Sequence, residues 1–342
     1  MGRADPPRTP RMLVDRYGRH VSDIRVSLTD RCNFRCVYCH NEGLGDTRGP
    51  AEPHADEMSA DEVVRLLSIA REFDVTRVKL TGGEPLLRRD LEEIVARVSP
   101  FMEVSLTTNG SLLAGRAQAL ADAGLARVNV SIDTLDPRHF RAVRRGSLEP
   151  VLAGLEAALA AGLAPLKINT VLMDETMGEL PELVDFVAQR DGLVLQLIEV
   201  MPEIRTDMAT RRVDLAQVRA WLAKRAAALT QRSMHHRNVY LLENGATVEL
   251  VDPVGNAEFC ANCHRLRVTH DGQLKGCLNR LDDYVPTRGL DDGGVREAFR
   301  RVVAERAPYY GVVHRVGVAA AEDPKHLYAS LRRPMLRESP PH

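Results

Sequence analysis

The sequence predicts an α/β fold, built as an incomplete (β/α)6 barrel of the TIM type and followed by a small C-terminal module that binds metal. From residue 23 to about residue 200, short β-rich runs alternate with Ala/Leu/Arg-rich stretches of helical period, which is the pattern of a parallel sheet. Six such units are too few for the usual eightfold barrel, and a doubly wound open sheet would give the same pattern. The six cysteines fall into two tight groups, near the start and near the end of the chain.

Six strands are predicted within the barrel, because each run is rich in Val, Ile, Leu and Thr. They cover residues 24–28, 77–81, 103–107, 127–132, 166–172 and 193–200. In such a barrel the carboxyl ends of the strands meet at one edge, where barrel enzymes assemble their active sites. Polar motifs that directly follow these strands are therefore the first candidates for a functional site.

Helical stretches separate the strands. Ser59 caps a predicted helix that runs to residue 73, and Glu62 stands three residues further on, so the two residues form a capping box. Gly124 and Gly162 end two later helices. The other predicted helices cover residues 91–98, 111–123, 150–161 and 214–229.

The composition changes after residue 235. Two β-rich runs, 239–242 and 247–251, lead to the second cysteine group and to a hairpin-like His270-Asp271-Gly272 turn. We therefore expect an N-terminal extension (1–22), the barrel (23–235), a C-terminal cluster module (236–300) and a Pro-rich C-terminal tail (301–342).

The 342-residue chain is nearly neutral, with 46 Lys and Arg against 47 Asp and Glu, which argues against nucleic acid or an anionic membrane as a partner. No apolar run approaches the roughly 18 residues that span a bilayer, and the N-terminus lacks the hydrophobic core of a signal peptide. The sequence thus predicts a cytoplasmic protein. In such a protein, two groups of three cysteines favour metal ligation over disulfides.

The first group, Cys32, Cys36 and Cys39, has the spacing CxxxCxxC and follows the first strand. Three thiolates on one loop can bind a 4Fe–4S cluster and leave its fourth iron open. A zinc site with His40 as the fourth ligand is the alternative. A Gly82-Gly83-Glu84-Pro85 turn ends the next strand, so both motifs lie at the same edge of the barrel, where glycine lets backbone approach a ligand closely.

Together these two motifs resemble those of the radical S-adenosylmethionine (radical SAM) enzymes. The resemblance implies the partial barrel and a SAM molecule bound to the open iron of the cluster. It also implies that Gly83 lies against the methionyl end of SAM and that Tyr38 lies beside the adenine. Ser131 and Met201 are expected elsewhere along the cofactor.

The second group, Cys260, Cys263 and Cys277, again supplies three thiolates. A Cys3His zinc site completed by a nearby histidine, His264 or His270, is the alternative. Two arginines two residues apart, Arg265 and Arg267, follow in a β-like run, so a strand would direct both to one face beside the metal. Two guanidinium groups on one face suit a phosphate ligand.

Within the radical SAM enzymes, the chain resembles the branch that cyclises GTP in molybdenum cofactor biosynthesis, over about residues 12–300. Matching strings include those that run from Arg25 to Cys32, from Thr107 to Gly110 and from Phe259 to Arg267. The resemblance implies a lyase with a second 4Fe–4S cluster on the C-terminal cysteines. The residues expected to hold GTP are Arg25, Lys79, Thr107, Lys167 and the catalytic pair Arg265 and Arg267. The implied partners are a flavodoxin- or ferredoxin-type electron donor, cyclic pyranopterin monophosphate synthase and a second copy of the chain in a homodimer.

Three features differ from the common pattern of that branch. Lys79 and Gln196 stand where many members carry Arg, and the chain ends without Gly-Gly. Shorter, archaeal-type members resemble this chain around residues 38–43, at Lys79 and at 195–199, so we expect the differences to mark that group. The alternatives are a paralogue that cyclises another nucleotide, a peptide-modifying enzyme and a zinc-binding regulatory protein. The His235-His236 pair is expected on solvated surface with no role.

Overall fold

The computed structural model describes residues 12–41, 56–201, 206–280 and 282–310. Within these residues the strands form one sheet of twelve strands, with α-helices packed on it. Half of the predicted N-terminal extension, residues 1–11, and the predicted tail from residue 311 lie outside the described residues. The α/β class with a mostly parallel sheet is confirmed.

The six predicted strands lie in chain order at the centre of the sheet and run parallel. They are β1 (Asp23–Ser27), β2 (Arg77–Thr81), β3 (Glu103–Thr108), β4 (Arg127–Ser131), β5 (Leu166–Leu172) and β6 (Leu193–Glu199). Alternate residues bury apolar side chains in the core, as Ile24 and Val26 do, and place polar ones such as Arg25 on the other face. This alternation explains why the strands could be read from the sequence.

The C-terminal third of the chain extends the same sheet at both edges. With strands numbered in chain order, β9 (Thr247–Val251) pairs parallel with β6, and β10 (Arg265–Val268) pairs parallel with β1. Antiparallel strands lie outside these two: β7 (Ala226–Gln231) and β8 (Asn238–Leu242) beyond β9, and β11 (Gln273–Lys275) and β12 (Tyr284–Pro286) beyond β10. One sheet therefore continues across residue 235, and the domain boundary expected there stays a prediction.

The helices of the described residues pack apolar faces against this sheet. They are α1 (Ala60–Glu72), α2 (Leu91–Val98), α3 (Ala117–Asp122), α4 (Pro137–Arg144), α5 (Glu149–Ala160), α6 (Leu180–Ala188), α7 (Leu215–Ala223), α8 (Ala257–Ala261) and α9 (Asp292–Glu305). The predicted capping box is present, since Ser59 and Glu62 each accept a hydrogen bond from the other's backbone N–H. No helix among the residues that the structure covers is long and apolar enough to cross a membrane.

The prediction of one helix over residues 214–229 was wrong in its second half. α7 ends at Ala223, and the Ala-rich run that follows forms β7, an exposed edge strand paired with β8. Ala and Leu favour a helix, but pairing with the neighbouring strand overrides this weak preference. The predicted helix over 111–123 is also shorter, because the chain turns until Arg116 before α3 begins.

Candidate functional site

The first cysteine group lies on the loop that follows β1, at the carboxyl edge of the barrel strands. Cys32 is buried, and Cys36 and Cys39 are half-buried. The backbone N–H of Cys39 donates to Cys36 O (3.0 Å), and that of Val37 donates to Val143 O (2.9 Å), which holds the loop against α4. The thiols are close enough for the charges of Cys36 and Cys39 to act on Cys32.

Burial raises the pKa of Cys32 to about 12 and the pKa of Cys36 to about 11. Such thiols become thiolates when a bound metal offsets their charge, and three of them on one loop suit an iron–sulfur cluster. The chemistry of this donor set therefore fits the predicted cluster. Among the residues with described positions, no three His, Cys, Asp or Glu side chains form a ready site for a single metal ion.

The Gly82-Gly83 turn packs against the segment that leads into the cysteine loop. The backbone N–H of Gly83 donates to Thr29 O (2.7 Å), and Gly82 has a φ of +146°. A Cβ atom would lie 2.2 Å from Arg31 O if added at Gly83 and 2.3 Å from Thr29 O if added at Gly82. Packing of one chain segment on another thus requires both glycines, and contact of Gly83 with a cofactor stays a prediction.

Glu84 is fully buried and ties this turn to the end of β3. Its carboxylate accepts hydrogen bonds from the backbone N–H of Asn109 (2.7 Å) and from the Thr108 hydroxyl (2.7 Å), while burial raises its pKa. The Asn109 amide in turn reaches Cys32 Sγ (3.9 Å) and Asn33 Oδ1 (2.8 Å). One hydrogen-bond network therefore joins the glycine turn, the end of β3 and the cysteine loop.

Tyr38 is fixed by a buried pair behind the same loop. Its hydroxyl donates to Asp133 Oδ2 (2.7 Å), and Arg144 Nη1 donates both to that hydroxyl (2.6 Å) and to Asp133 Oδ2 (3.1 Å). The other oxygen of Asp133 accepts from the backbone N–H of Val171 (2.8 Å). The orientation of Tyr38 is therefore set by β4, α4 and β5 together.

Basic side chains from several strands share the interior of the barrel. The pKa of Lys79 is well below its usual range, because burial disfavours its charge and Arg25, Arg265 and Lys167 repel it. These four predicted site residues come from β2, β1, β10 and β5, so the curved sheet brings them together. The structure thus brings these four predicted substrate-binding residues together, and their contact with a polyphosphate stays a prediction.

Amides and a hydroxyl line the same inner face. Lys79 Nζ donates to Asn129 Oδ1 (3.2 Å), and Asn129 Nδ2 donates to Asn169 Oδ1 (3.2 Å). Thr107 is the register partner of Asn129 on the neighbouring strand. Its hydroxyl is buried, and no described residue forms a hydrogen bond with it. This face therefore offers neutral polar groups beside the cations.

The second cysteine group lies next to this interior. Cys260 is in α8, Cys263 follows it, and Cys277 follows β11. Arg267 on β10 is the register partner of Arg25 and is close enough for its charge to favour the thiolate of Cys277. The inner face of the barrel thus runs from one cysteine group to the other.

Two buried arginines position the second group through its backbone. Arg306 Nη2 donates to Cys263 O (2.7 Å), and Arg19 Nη1 donates to Cys260 O (2.9 Å). Burial alone would raise the pKa of Cys263, but Arg306, His235 and Arg19 together hold it well below its usual value. A positive environment of this kind favours thiolate ligands and fits a metal cluster.

Two family models match the chain: the Radical SAM superfamily over residues 26–187 and Molybdenum Cofactor Synthesis C over residues 193–312. The chain is 54% identical over 326 residues to the "Probable GTP 3′,8-cyclase" of Halobacterium salinarum, which covers 88% of this chain and 90% of that protein. The chain belongs to the GTP 3′,8-cyclase family of radical SAM enzymes. It is also 42% identical over 302 residues to the family member of the same name from Methanocella arvoryzae, covering 87% and 95% of the two chains.

Solved structures of radical SAM enzymes share the fold. Streptococcus suis SuiB bound to S-adenosylmethionine aligns with a TM-score of 0.61 at 16% identity, over 77% of this chain and 61% of that one. The enzyme anSMEcpe with bound AdoMet aligns with a TM-score of 0.54 at 12% identity, over 90% and 94%. The predicted TIM-like partial barrel is thereby confirmed. Radical SAM enzymes bind SAM and a 4Fe–4S cluster, and the first cysteine loop has the donors for that cluster.

Two residues expected along SAM lie at the carboxyl ends of barrel strands. Ser131 ends β4, and Met201 follows β6 by two residues; both are half-buried. Each is therefore on the edge of the barrel that carries the cysteine loop. Their contact with SAM stays a prediction.

The prediction that His235 lies on solvated surface was wrong. This residue is buried, stacks on the ring of Phe259 with centroids 3.9 Å apart, and hydrogen-bonds Cys263. It adopts a φ of +65°, a left-handed conformation that no sequence pattern predicts here. Its neighbour His236 is more exposed and contacts Glu258 (2.7 Å).

The sequence motifs assigned no role to Arg306, Arg19, Asp133 or Arg144. These four are buried charged residues that hold the two cysteine groups in place. The one signal for any of them was the position of Asp133, two residues after β4, where a barrel strand delivers its side chain to the site. Arg306 belongs to the predicted tail, and nothing in its neighbourhood marks it as buried.

Proposed function

We propose that the protein converts GTP to (8S)-3′,8-cyclo-7,8-dihydroguanosine 5′-triphosphate in the first step of molybdenum cofactor biosynthesis. The observation that carries the proposal is the group of basic side chains that share the inner face of the barrel, where Arg267 also lies close to Cys277 of the second cysteine group. A nucleoside triphosphate suits this arrangement, because its phosphates need several basic groups, and we propose that its base lies toward the second cysteine group. Membership of the GTP 3′,8-cyclase family supports GTP as that nucleotide.

Each group of residues has its own part in the proposed reaction. Cys32, Cys36 and Cys39 would hold the first cluster, which with SAM would supply the 5′-deoxyadenosyl radical needed to take the hydrogen from C3′ of the ribose. Arg25, Lys79 and Lys167 bind the triphosphate, and Thr107 donates or accepts a hydrogen bond at the sugar. This positioning keeps C3′ near C8 of guanine, so the new bond forms between atoms already in contact.

The residues of the C-terminal part hold the other end of the substrate. We propose that Cys260, Cys263 and Cys277 bind a second 4Fe–4S cluster beside the guanine. Arg265 and Arg267 lie on β10, the strand that follows Cys263, and we propose that they contact the nucleotide near the reacting base and act as catalytic residues. Their fixed charges stabilise the product side of the reaction, which needs one electron and one proton for completion.

The remaining partners follow from the proposed reaction. A flavodoxin- or ferredoxin-type protein supplies electrons, and cyclic pyranopterin monophosphate synthase consumes the product. We also propose a homodimer that works in the cytoplasm.

The proposal is tested by anaerobic incubation of the reconstituted protein with SAM, a reductant and GTP labelled with deuterium at C3′. We expect deuterium in 5′-deoxyadenosine and a cyclic dihydro product by mass spectrometry, with no product from ATP or UTP. A Cys36→Ser variant supplies the background. SAM cleavage without a GTP product would contradict the proposed substrate, and a product from ATP or UTP instead would identify a paralogue that acts on another nucleotide.

A further inference from the structure

A buried carboxylate on β9 gathers three cations at one side of the barrel interior. Glu249 is 1% exposed and is the register partner of Gln196 on β6. Its neighbours Val248 and Leu250 point into the apolar core, so the carboxylate lies on the inner face. It forms an ion pair there with Lys167, which lies two strands away on β5.

Two arginines from the β7–β8 hairpin complete this cluster. Arg237 Nη1 lies 2.9 Å from Glu249 Oε1, and Arg232 Nη1 lies 3.3 Å from Glu249 Oε2. The backbone N–H of Arg232 donates to Arg237 O (2.9 Å), so the turn of the hairpin holds both arginines side by side. A segment outside the six central strands therefore contributes charge to the interior.

The cluster has an excess of positive charge. Lys167, Arg232 and Arg237 are three cations against one carboxylate, and Arg237 is only 12% exposed. Arg237 is also near Arg265, whose charge lowers its pKa further after burial has lowered it. Its Nε–H is buried, and no described residue accepts a hydrogen bond from it. Lys167 and Arg237 are largely shielded from solvent, whereas Arg232 is exposed at the rim of the cluster. Shielded cations in excess over one carboxylate, with a buried donor left over on Arg237, indicate a missing anion.

We propose that Arg237 and Arg232, held in position by Glu249, form a subsite for the terminal phosphates of a nucleoside triphosphate. This inference deepens the proposed function and rests on it for the identity of the nucleotide. Gln196 is neutral at the neighbouring position on β6, so the hairpin arginines supply the positive charge that this side of the site has in addition to Lys167. Glu249 orients the two guanidinium groups and leaves their remaining N–H groups for phosphate oxygens.

The test is anaerobic isothermal titration of the reconstituted full chain with three probes: GTP, GMP and inorganic tripolyphosphate. Replacement Arg237→Gln should weaken GTP and tripolyphosphate binding by about ten- to a hundredfold, the loss of a charge-assisted hydrogen bond. GMP binding should change by less than about twofold. The variant should fold, because Lys167 and Arg232 still compensate Glu249, and its melting temperature and iron content check this.

A matched control comes from the residue that directly precedes β7. Arg225 is exposed, its guanidinium stacks 4.1 Å from the centre of the Trp221 ring, and Arg225→Gln should leave all three affinities unchanged. Arg237→Lys should restore part of the lost GTP affinity, since lysine keeps the positive charge but lacks the paired N–H donors of the guanidinium group. Unchanged GTP affinity in Arg237→Gln, an equal loss for GMP, or a wild type that binds GMP as tightly as GTP would each overturn the subsite. If tripolyphosphate binding depends on Arg237 but the protein does not bind GTP, the result would support the subsite and contradict the proposed function.

Discussion

The Tyr38 hydroxyl donates a hydrogen bond to Asp133 across 2.7 Å, and this bond joins the cysteine loop to the end of β4. Arg144 donates to both groups, so the half-buried Tyr38 and the buried Asp133 and Arg144 compensate one another. The position of the loop therefore depends on residues that are distant from it in the sequence.

Replacement of Asp133 by Ala should destabilise the protein strongly. The change leaves the Arg144 guanidinium buried without its carboxylate, which costs about 3 kcal/mol or more in the free energy of unfolding. Denaturant unfolding of the metal-free protein measures the effect, with exposed Glu182→Ala as a control that should stay within about 0.5 kcal/mol. A loss below about 1 kcal/mol would show that Arg144 finds another partner.

Replacement of Gly83 by Ala should disturb the first cysteine loop without touching a cysteine. The new Cβ would lie 2.2 Å from Arg31 O, a backbone atom that cannot move aside freely. We expect a loss of about 3 kcal/mol and reduced iron in the first cluster after reconstitution. Gly178→Ala, where a Cβ meets nothing within 4 Å, is the matched control and should behave like the wild type.

Simultaneous replacement of Cys260, Cys263 and Cys277 by Ser should remove the second cluster alone. Iron and acid-labile sulfide should fall from about eight to about four of each per chain. Cleavage of SAM should persist, while the GTP product disappears, because the first loop is intact. Two zinc ions and no iron in the wild type would instead favour the zinc-site alternative.

GTP binding should weaken as the pH rises through about 8. Burial lowers the pKa of Lys167 to about 8, so the cation is present below that pH and is lost above it. Each further pH unit should then reduce the affinity by up to about tenfold, the effect of one proton. Titration from pH 6.5 to about 9.5 measures this. Lys167→Arg keeps its charge and should flatten the curve relative to the wild type; identical curves for the two proteins would exclude Lys167 as the titrating group.

Much of the fold could be predicted, because the barrel strands alternate apolar and polar residues and stand between capped helices. All six strands were located to within one residue at either end, and the hairpin turn at 270–272 was found between β10 and β11. The Ala-rich strand β7 was missed, since only its pairing with β8 makes it a strand. The helix or strand preference of a short segment does not reveal a pairing strand that lies elsewhere in the chain.

In the candidate site, too, some residues could be predicted from the sequence and others could not. Motif spacing identified the six cysteines, and the strand positions predicted that Arg25, Lys79 and Lys167 would converge, as they do. Buried supports such as Arg306 and His235 could not be predicted, because their burial depends on long-range contacts and on a left-handed backbone conformation. Sequence motifs identify candidate reactive groups more readily than they identify the residues that position those groups.

The position of β9 and β10 at the two edges of the six central strands bears on how the chain is synthesised. While the ribosome has made only the first 235 residues, β1 and β6 are both open edges with unpaired backbone groups. Such edges pair readily with other chains. A fragment that stops at residue 235 should therefore aggregate, and the nascent barrel stays incomplete until the last third of the protein emerges and covers both sides.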